Sequence, residues 1–387
     1  MKKLFDRSYY LFYLFYFIAM GAYFNYLNVF LEARGLTGSQ LGLISSSGTL
    51  ISVFIVPLWG IIGDKTRKYK MILLTTLSVS LIMTFFYARA YTYLTLILCA
   101  IILTVFNSGI MPLSDVLAMN YCAKEKKNYG TIRSMGSIGW VVGSFLMGGI
   151  AEKMGFDPAV MYTYGGLLMI TLFVAFLLPQ TKSEEKEVEE KKKLNIMDVV
   201  KNKAVLFLIL INLLSFVAMD GNNYNANHII NTLGGTAIFV SYFTAIQALP
   251  EVLVLTQAKK LFDKFGFKKI YIIALLSIVI RLAVYSFTSN LWLYVGVSII
   301  NCLAIIASTF GNLEYLRRTS DPSIYGTTVT FFNASKSLGT AVFAYVFGVL
   351  YEYAGSFMIY RVVLATSIAA LLLVVVSNQF NEIDHLG

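Results

Sequence analysis

Predominantly apolar runs of membrane-spanning length recur along the whole of this 387-residue chain. About 20 apolar residues in a helix cross the ~30 Å hydrocarbon core of a bilayer. In lipid only a helix or a closed barrel satisfies its own backbone polar groups. The runs do not alternate apolar with polar residues, which excludes a barrel. They predict twelve helical spans, at about 8–30, 41–63, 70–89, 93–119, 131–151, 159–179, 204–230, 237–258, 269–287, 291–313, 325–350 and 357–378. The expected fold class is all-α and polytopic.

Composition agrees. Hydrophobic residues make up 57 % of the chain, charged residues 13 %, and mean hydropathy is +0.70. Soluble domains carry about 25 % charged residues. Soluble, disordered, collagen-like and disulfide-scaffold classes are all excluded. Cys99, Cys122 and Cys302 lie far apart in apolar stretches and show neither disulfide nor zinc spacing, and His228 and His385 cannot cluster on a metal. No cofactor is expected. Met1-Lys2-Lys3 resembles the basic start of a signal peptide. The apolar stretch after it is too long and lacks a small-residue cleavage site, so it reads as a retained first helix.

The net charge of +10 needs an account. Of 31 Lys and Arg, twenty-four fall at the N-terminus and in alternate loops, among them Lys65, Arg67, Lys68, Lys124, Lys126, Lys259, Lys264, Arg317 and Arg318. The opposite loops hold four: Arg34, Arg89, Lys153 and Arg361. Positive loops stay on the cytoplasmic side, which places both termini in the cytoplasm of a multi-pass protein of the plasma membrane. The loops account for the basic balance, so nucleic acid is not an expected partner. A small-molecule substrate and membrane lipid are, and a monomer is expected.

Between spans six and seven, residues 182–193 contain ten charged residues, five of each sign. Such a segment cannot enter a core and reads as a solvated linker. The expected domains are residues 1–180, a linker over 181–203, and residues 204–387. The halves repeat. Asp64-Lys65 recurs as Asp263-Lys264, shifted by 199. Ser137, Gly139, Gly148, Glu152 and Gly155 recur 200 residues later as Ser337, Gly339, Gly348, Glu352 and Gly355. Duplicated six-helix halves place a substrate site at their interface, near mid-bilayer.

The sequence resembles the major facilitator superfamily, and within it the lactose-permease-like oligosaccharide–proton symporters. The loop Gly60-x-x-x-Asp64-Lys65-x-Arg67-Lys68 is similar to the superfamily's loop between helices two and three, without the usual glycine before the basic pair. Met20-Gly21-Ala22-Tyr23-Phe24 stands in span one. Asp115 is followed by Arg133 and Trp140 within Tyr129-Gly130-Thr131-Ile132-Arg133-Ser134-Met135-Gly136-Ser137-Ile138-Gly139-Trp140. Asp220, Arg281 and Lys336 fall in spans seven, nine and eleven, where that family keeps ionised residues. The resemblance implies twelve helices in two pseudo-symmetric halves, a substrate site at Asp115, Arg133 and Trp140, and a conformational latch at Asp64. Lys65, Arg67, Asp263 and Lys264 are grouped with that latch. The family's lactose permease carries a proton-coupling histidine and glutamate in helix ten, where this chain has Asn301 and Ala304. Its helix-eight glutamate position holds Ala248, and Glu251 lies one turn later.

An ionised side chain at mid-bilayer costs about +2.5 to +3.5 kcal/mol. Asp115, Arg133, Asp220, Glu251, Arg281 and Lys336 accept that cost, so they are expected to face an aqueous cavity or one another. Helical spacing groups their polar neighbours: Asn107 and Met111 with Asp115, Asn223 and Asn227 with Asp220, Gln247 with Glu251, and Ser308 and Asn312 with Asn301. Arg133 offers a fixed fork of donors, which Asp115 can hold. Trp140 offers a flat apolar face. The expected substrate residues are Asp115, Arg133, Trp140, Asn223 and Asn301. The expected charge network is Asp115, Asp220, Glu251, Arg281 and Lys336, with Glu251, Asp115 and then Asp220 as proton carriers. Three carboxylates balance three cations, which suits a neutral polyhydroxylated solute.

These features predict a secondary active transporter working by alternating access, with proton symport of a sugar or similar neutral solute. The same fold could carry nucleosides, aromatic acids or drugs. An enzyme is not expected, since there is no HExxH motif and no serine with a suitable base.

Overall fold

The computed structural model describes residues 2–179, 199–218, 225–321 and 324–380. Two compact units divide the chain. One holds Met1–Lys186 and Thr236–Tyr242, the other Glu187–Gly235 and Phe243–Gly387. The charged linker expected over 181–203 lies mostly outside the described residues.

The first unit contains α1 (Lys2–Phe24), α2 (Leu27–Ala33), α3 (Gly38–Thr66), α4 (Tyr69–Arg89), α5 (Tyr93–Glu125), α6 (Tyr129–Met154) and α7 (Ala159–Phe176). The second contains α8 (Lys203–Asn212), a π-turn (Leu213–Val217), α9 (Ala226–Thr232), most of α10 (Ala237–Thr256), and α11 (Ala258–Phe287). It continues with α12 (Leu291–Val297), a 3-10 turn (Ser298–Ile300), α13 (Asn301–Ile306), a second π-turn (Ala307–Gly311), α14 (Asn312–Thr319), α15 (Tyr325–Ala354) and α16 (Ser356–Val376). Among the described residues, ten helical stretches are long and apolar enough to cross a membrane. Eleven result when α1 and α2, bent by 41°, count as one span. The remaining expected span, the seventh, is seen on either side of residues 219–224.

Pro57, Pro112 and Pro250 lie inside α3, α5 and α10, as membrane helices tolerate. In the first unit α1 lies along α6 and α7, and α5 along α3 and α4. Glycine permits the closest of these approaches. A Cβ on Gly139 or Gly143 of α6 would collide with the backbone carbonyls of Leu14 and Ile18 on α1, and one on Gly21 with that of Trp140. Close backbone contact through small residues is how membrane helices associate, since lipid supplies no hydrophobic drive between them.

The duplication is visible in the backbone. Positive φ angles occur at Gly35 and Gly234, at Arg67 and Gly266, and at Gly155 and Gly355. These pairs are 199, 199 and 200 residues apart. The short helix α2 likewise recurs as α9, each bound shifted by 199.

Arg34 ties one end of the first unit together. Its side chain is 0 % exposed and donates to Asp157 Oδ1 from Nε at 3.0 Å and Nη2 at 2.6 Å. It also donates to the carbonyls of Tyr87, Ala88 and Ala90, where α4 ends. Phe30 and Tyr91 bracket the guanidinium, their ring centroids 4.4 and 4.3 Å from its carbon.

Candidate functional site

In the first unit, α1 and α5 bring a row of polar side chains together. Tyr16 donates to Asn107 Oδ1 at 3.5 Å, and Asn107 Nδ2 lies 3.7 Å from Met20 Sδ. Two turns further along α5, Asp115 Oδ1 accepts from Tyr13 at 2.5 Å and from Tyr129 at 2.7 Å. Asn107 and Asp115 thus share the face that their spacing predicts, and that face meets α1.

Arg133 projects from the first turns of α6. Its guanidinium carbon lies 4.5 Å from the Phe17 ring centroid. A Cβ at Gly136 would come within 2.7 Å of Arg133 Nη1 and 2.9 Å of Phe17, so glycine leaves room for this stack. Among the described residues no ion pair joins Asp115 to Arg133. The pairing expected from sequence is therefore absent in this structure. Two tyrosine hydroxyls already hold the carboxylate, and the cation lies on an aromatic face. Trp140, two turns along α6, is half-buried, its ring 6.2 Å from that of Phe24.

The second unit holds a chain of three polar groups. Arg281 on α11 is 2 % exposed and donates from Nη1 to Asn301 Oδ1 at 2.5 Å. Asn301 Nδ2 donates to Glu251 Oε1 on α10 at 2.8 Å. Accepting from a cation fixes the asparagine oxygen towards Arg281, which turns its amide donor towards the carboxylate. Beside Arg281 lies a buried aromatic cluster. The guanidinium carbon is 5.9 Å from the Tyr285 ring, which packs against Tyr294 and Tyr360. Lys336 on α15 points its ammonium at Phe332, 5.8 Å from the ring centroid.

The other expected residues fall as follows. Asp220 and Asn223 lie outside the described residues. Asn225, two residues from Asn223, donates to the Ser356 carbonyl at 2.8 Å and so ties the start of α9 to the start of α16. Asn312 serves partners different from those of Asn301, about 16 Å further along the span, and the π-turn between them shifts the helical spacing that grouped the two. Asp64 is the expected latch residue. It lies in the last turn of α3 and accepts from the Tyr69 hydroxyl. Asp64, Lys65, Arg67, Asp263 and Lys264 are all exposed, and Lys264 lies over the Phe265 ring at 5.2 Å. Arg67 takes a left-handed conformation, φ 54°, where the second half has Gly266.

Tyr13, Tyr16, Tyr129 and Phe17 escape a reading based on charge. For Tyr13, Tyr16 and Phe17 the signal is the aromatic stripe Tyr9, Phe12, Tyr13, Tyr16 and Phe17, which recurs at helical spacing in span one; Tyr129, at the start of α6, carries no such signal. Among the described residues no group of three or more His, Cys, Asp or Glu could hold a metal ion.

With two ionised clusters set in apolar helices, the layout is that of a transporter, and the comparison of sequences agrees. The pattern of the MFS_1 like family matches residues 7–362. The chain belongs to that family. As an MFS_1 like protein it is a secondary transporter of the major facilitator superfamily and not an enzyme. It is 26 % identical over 360 residues to the transporter YwbF of Bacillus subtilis (strain 168), covering 92 % of this chain and 90 % of that one. It is 27 % identical over 326 residues to the maltose permease of Geobacillus stearothermophilus, covering 84 % and 82 %. Its fold matches the crystal structure of the nucleoside transporter NupG with a TM-score of 0.82 at 16 % identity, covering 95 % of this chain and 97 % of that one.

Proposed function

We propose that this transporter takes up a sugar or a similar neutral polar solute together with a proton, by alternating access. The observation that carries the reading is the Glu251–Asn301–Arg281 chain. It joins a protonatable carboxylate to a buried cation through an amide that does not itself titrate. A proton taken from the outer solution by Glu251 cancels the charge that Asn301 binds, and the amide's hold weakens. Arg281 then loses one of the groups that hold it. Release of the proton from Glu251 to the inner solution restores the chain. In the first unit, Arg133 presents donors to solute hydroxyls, Asp115 accepts from one, and Trp140 offers its face to the C–H side of a ring. Asp115, Asp220 and Glu251 balance Arg133, Arg281 and Lys336, which favours an uncharged solute. The maltose permease among the relatives supports a sugar.

A second reading keeps the transporter and changes the cargo to a nucleoside, an aromatic acid or a drug. The aromatic surfaces of Phe17, Phe24 and Trp140 favour it, since a planar ring stacks on them.

Proteoliposomes separate the two. Maltose, a nucleoside and a phenylpropionate are offered at the outer face while lumenal pH is followed. Maltose entry should acidify the lumen. Glu251→Gln should abolish accumulation driven by a pH gradient while leaving counterflow intact, and Arg133→Ala should abolish both. Gradient-driven accumulation that survives Glu251→Gln would remove Glu251 from the coupling step.

A further inference from the structure

Spans seven and ten depart from regular helix at matching places. In span seven α8 passes into the π-turn Leu213–Val217. In span ten α13, only six residues long, stands between the 3-10 turn Ser298–Ile300 and the π-turn Ala307–Gly311. A 3-10 turn winds tighter than an α-helix and a π-turn looser. The rotation of α13 about its own axis is therefore set at its two ends. Asn301, which touches Arg281 and Glu251, is its first residue.

An asparagine flanks each π-turn. Asn212 directly precedes the first and Asn312 directly follows the second, and they are 0 % and 1 % exposed. Their amides bond reciprocally, Asn212 Nδ2 to Asn312 Oδ1 at 3.1 Å and Asn312 Nδ2 to Asn212 Oδ1 at 2.8 Å. Each amide also bonds back to its own helix. Asn212 donates to the Leu208 carbonyl at 2.9 Å and Asn312 to the Ser308 carbonyl, inside the second π-turn, at 2.7 Å. Tyr271 of α11 donates its hydroxyl to Asn312 Oδ1 at 2.8 Å. The π-turn is also close-packed on α11, since a Cβ at Gly311 would lie 2.7 Å from Phe262 and 3.2 Å from Tyr271.

An apolar pair would fill the same space and bury no amide. A buried asparagine pair is instead suited to fixing helix register, at a cost in stability. We propose that Asn212 and Asn312, steadied by Tyr271, are positioning residues for transport. They hold the two π-turns in register and so fix the rotation of α13 that turns Asn301 towards Arg281 and Glu251. The proposal stands on the second unit's geometry and is independent of the solute and of the proton route.

Cys302, the second residue of α13 and half-buried, reports that rotation. Purified full-length protein in detergent is alkylated with N-ethylmaleimide, and the rate at each cysteine is followed by peptide mass. Cys99, half-buried on α5 of the first unit, is the internal control. The double variant Asn212→Leu/Asn312→Leu removes both amides together, and the Tyr271 hydroxyl that loses Asn312 keeps the Ala307 carbonyl, at 3.4 Å, as acceptor. The Cys302 rate should change by at least about fivefold while the Cys99 rate stays within about twofold. An unchanged Cys302 rate overturns the proposal. So does a parallel rise at Cys99, which would mark general loosening. Should the double variant not be recovered folded, Tyr271→Phe is read the same way. A change confined to Cys302 supports the positioning role, and an unchanged rate overturns it.

Discussion

Arg34 shows what a single residue can hold and how little of that a sequence reveals. In the chain it is one basic residue in a loop, with nothing nearby to suggest a partner. Folding brings it Asp157, the last carbonyls of α4 and two aromatic faces, and its side chain becomes fully buried. Removing one member of a buried pair leaves an uncompensated charge and stranded acceptors, so Arg34→Ala should destabilise the protein by about 3 kcal/mol. Arg34→Lys should recover less than half of that, because a point charge cannot span Asp157 and several carbonyls at once. Thermal unfolding in detergent measures both, and a lysine variant as stable as the parent would discredit the fork argument. The intramembrane charges Asp115, Arg133, Glu251 and Arg281 were legible for the opposite reason. An ionised side chain in an apolar run is conspicuous before any fold is known. The partners of Asp115 and Arg133 were not legible, because Tyr13, Tyr129 and Phe17 resemble the other aromatic residues of their spans.

Helices were easy to read and their irregularities were not. Long apolar runs mark a span and leave its bounds uncertain by a few residues. The π-turns at Leu213–Val217 and Ala307–Gly311 carry no composition of their own. One of them lies between Asn301 and Asn312 and shifts the spacing that, in a regular helix, would put the two on one face. Glycine carries a clearer message once its surroundings are known. Gly143 faces the Ile18 carbonyl so closely that a methyl group cannot fit, whereas a Cβ on Gly149, on the same helix, would have nothing within 4 Å. Gly143→Ala should force α1 and α6 apart at a cost of about 1–3 kcal/mol. Gly149→Ala should be neutral or stabilising by up to about 1 kcal/mol, since alanine is the better helix former. Unfolding midpoints of the two variants test this directly. Equal behaviour would mean that the α1–α6 contact can relax more than its backbone geometry suggests.

At the scale of the molecule the clearest signal is duplication. Seven identities fall at offsets of 199 and 200, and the backbone repeats at the same offsets, in paired positive-φ residues (Gly155 and Gly355 among them) and in the paired short helices α2 and α9. A second whole-molecule property follows from charge. Twenty-four of the 31 Lys and Arg lie at the N-terminus and in alternate loops, and only four in the opposite loops. Each Lys or Arg near a short loop resists translocation, and the bias accumulates over the loops. Both termini should therefore be cytoplasmic. In bacterial cells a green fluorescent protein fused after Gly387 should fluoresce, and alkaline phosphatase fused there should be inactive. Alkaline phosphatase fused after Lys153, in the last turn of α6 beside one of the poorly charged loops, should be active. Changing Lys65, Arg67, Lys68 and Lys70 to glutamine should leave this pattern intact, because the remaining basic loops still outweigh the opposite ones. An active phosphatase at the C-terminus of the parent chain would reverse the assignment, and with it the direction in which Glu251 is proposed to pass its proton.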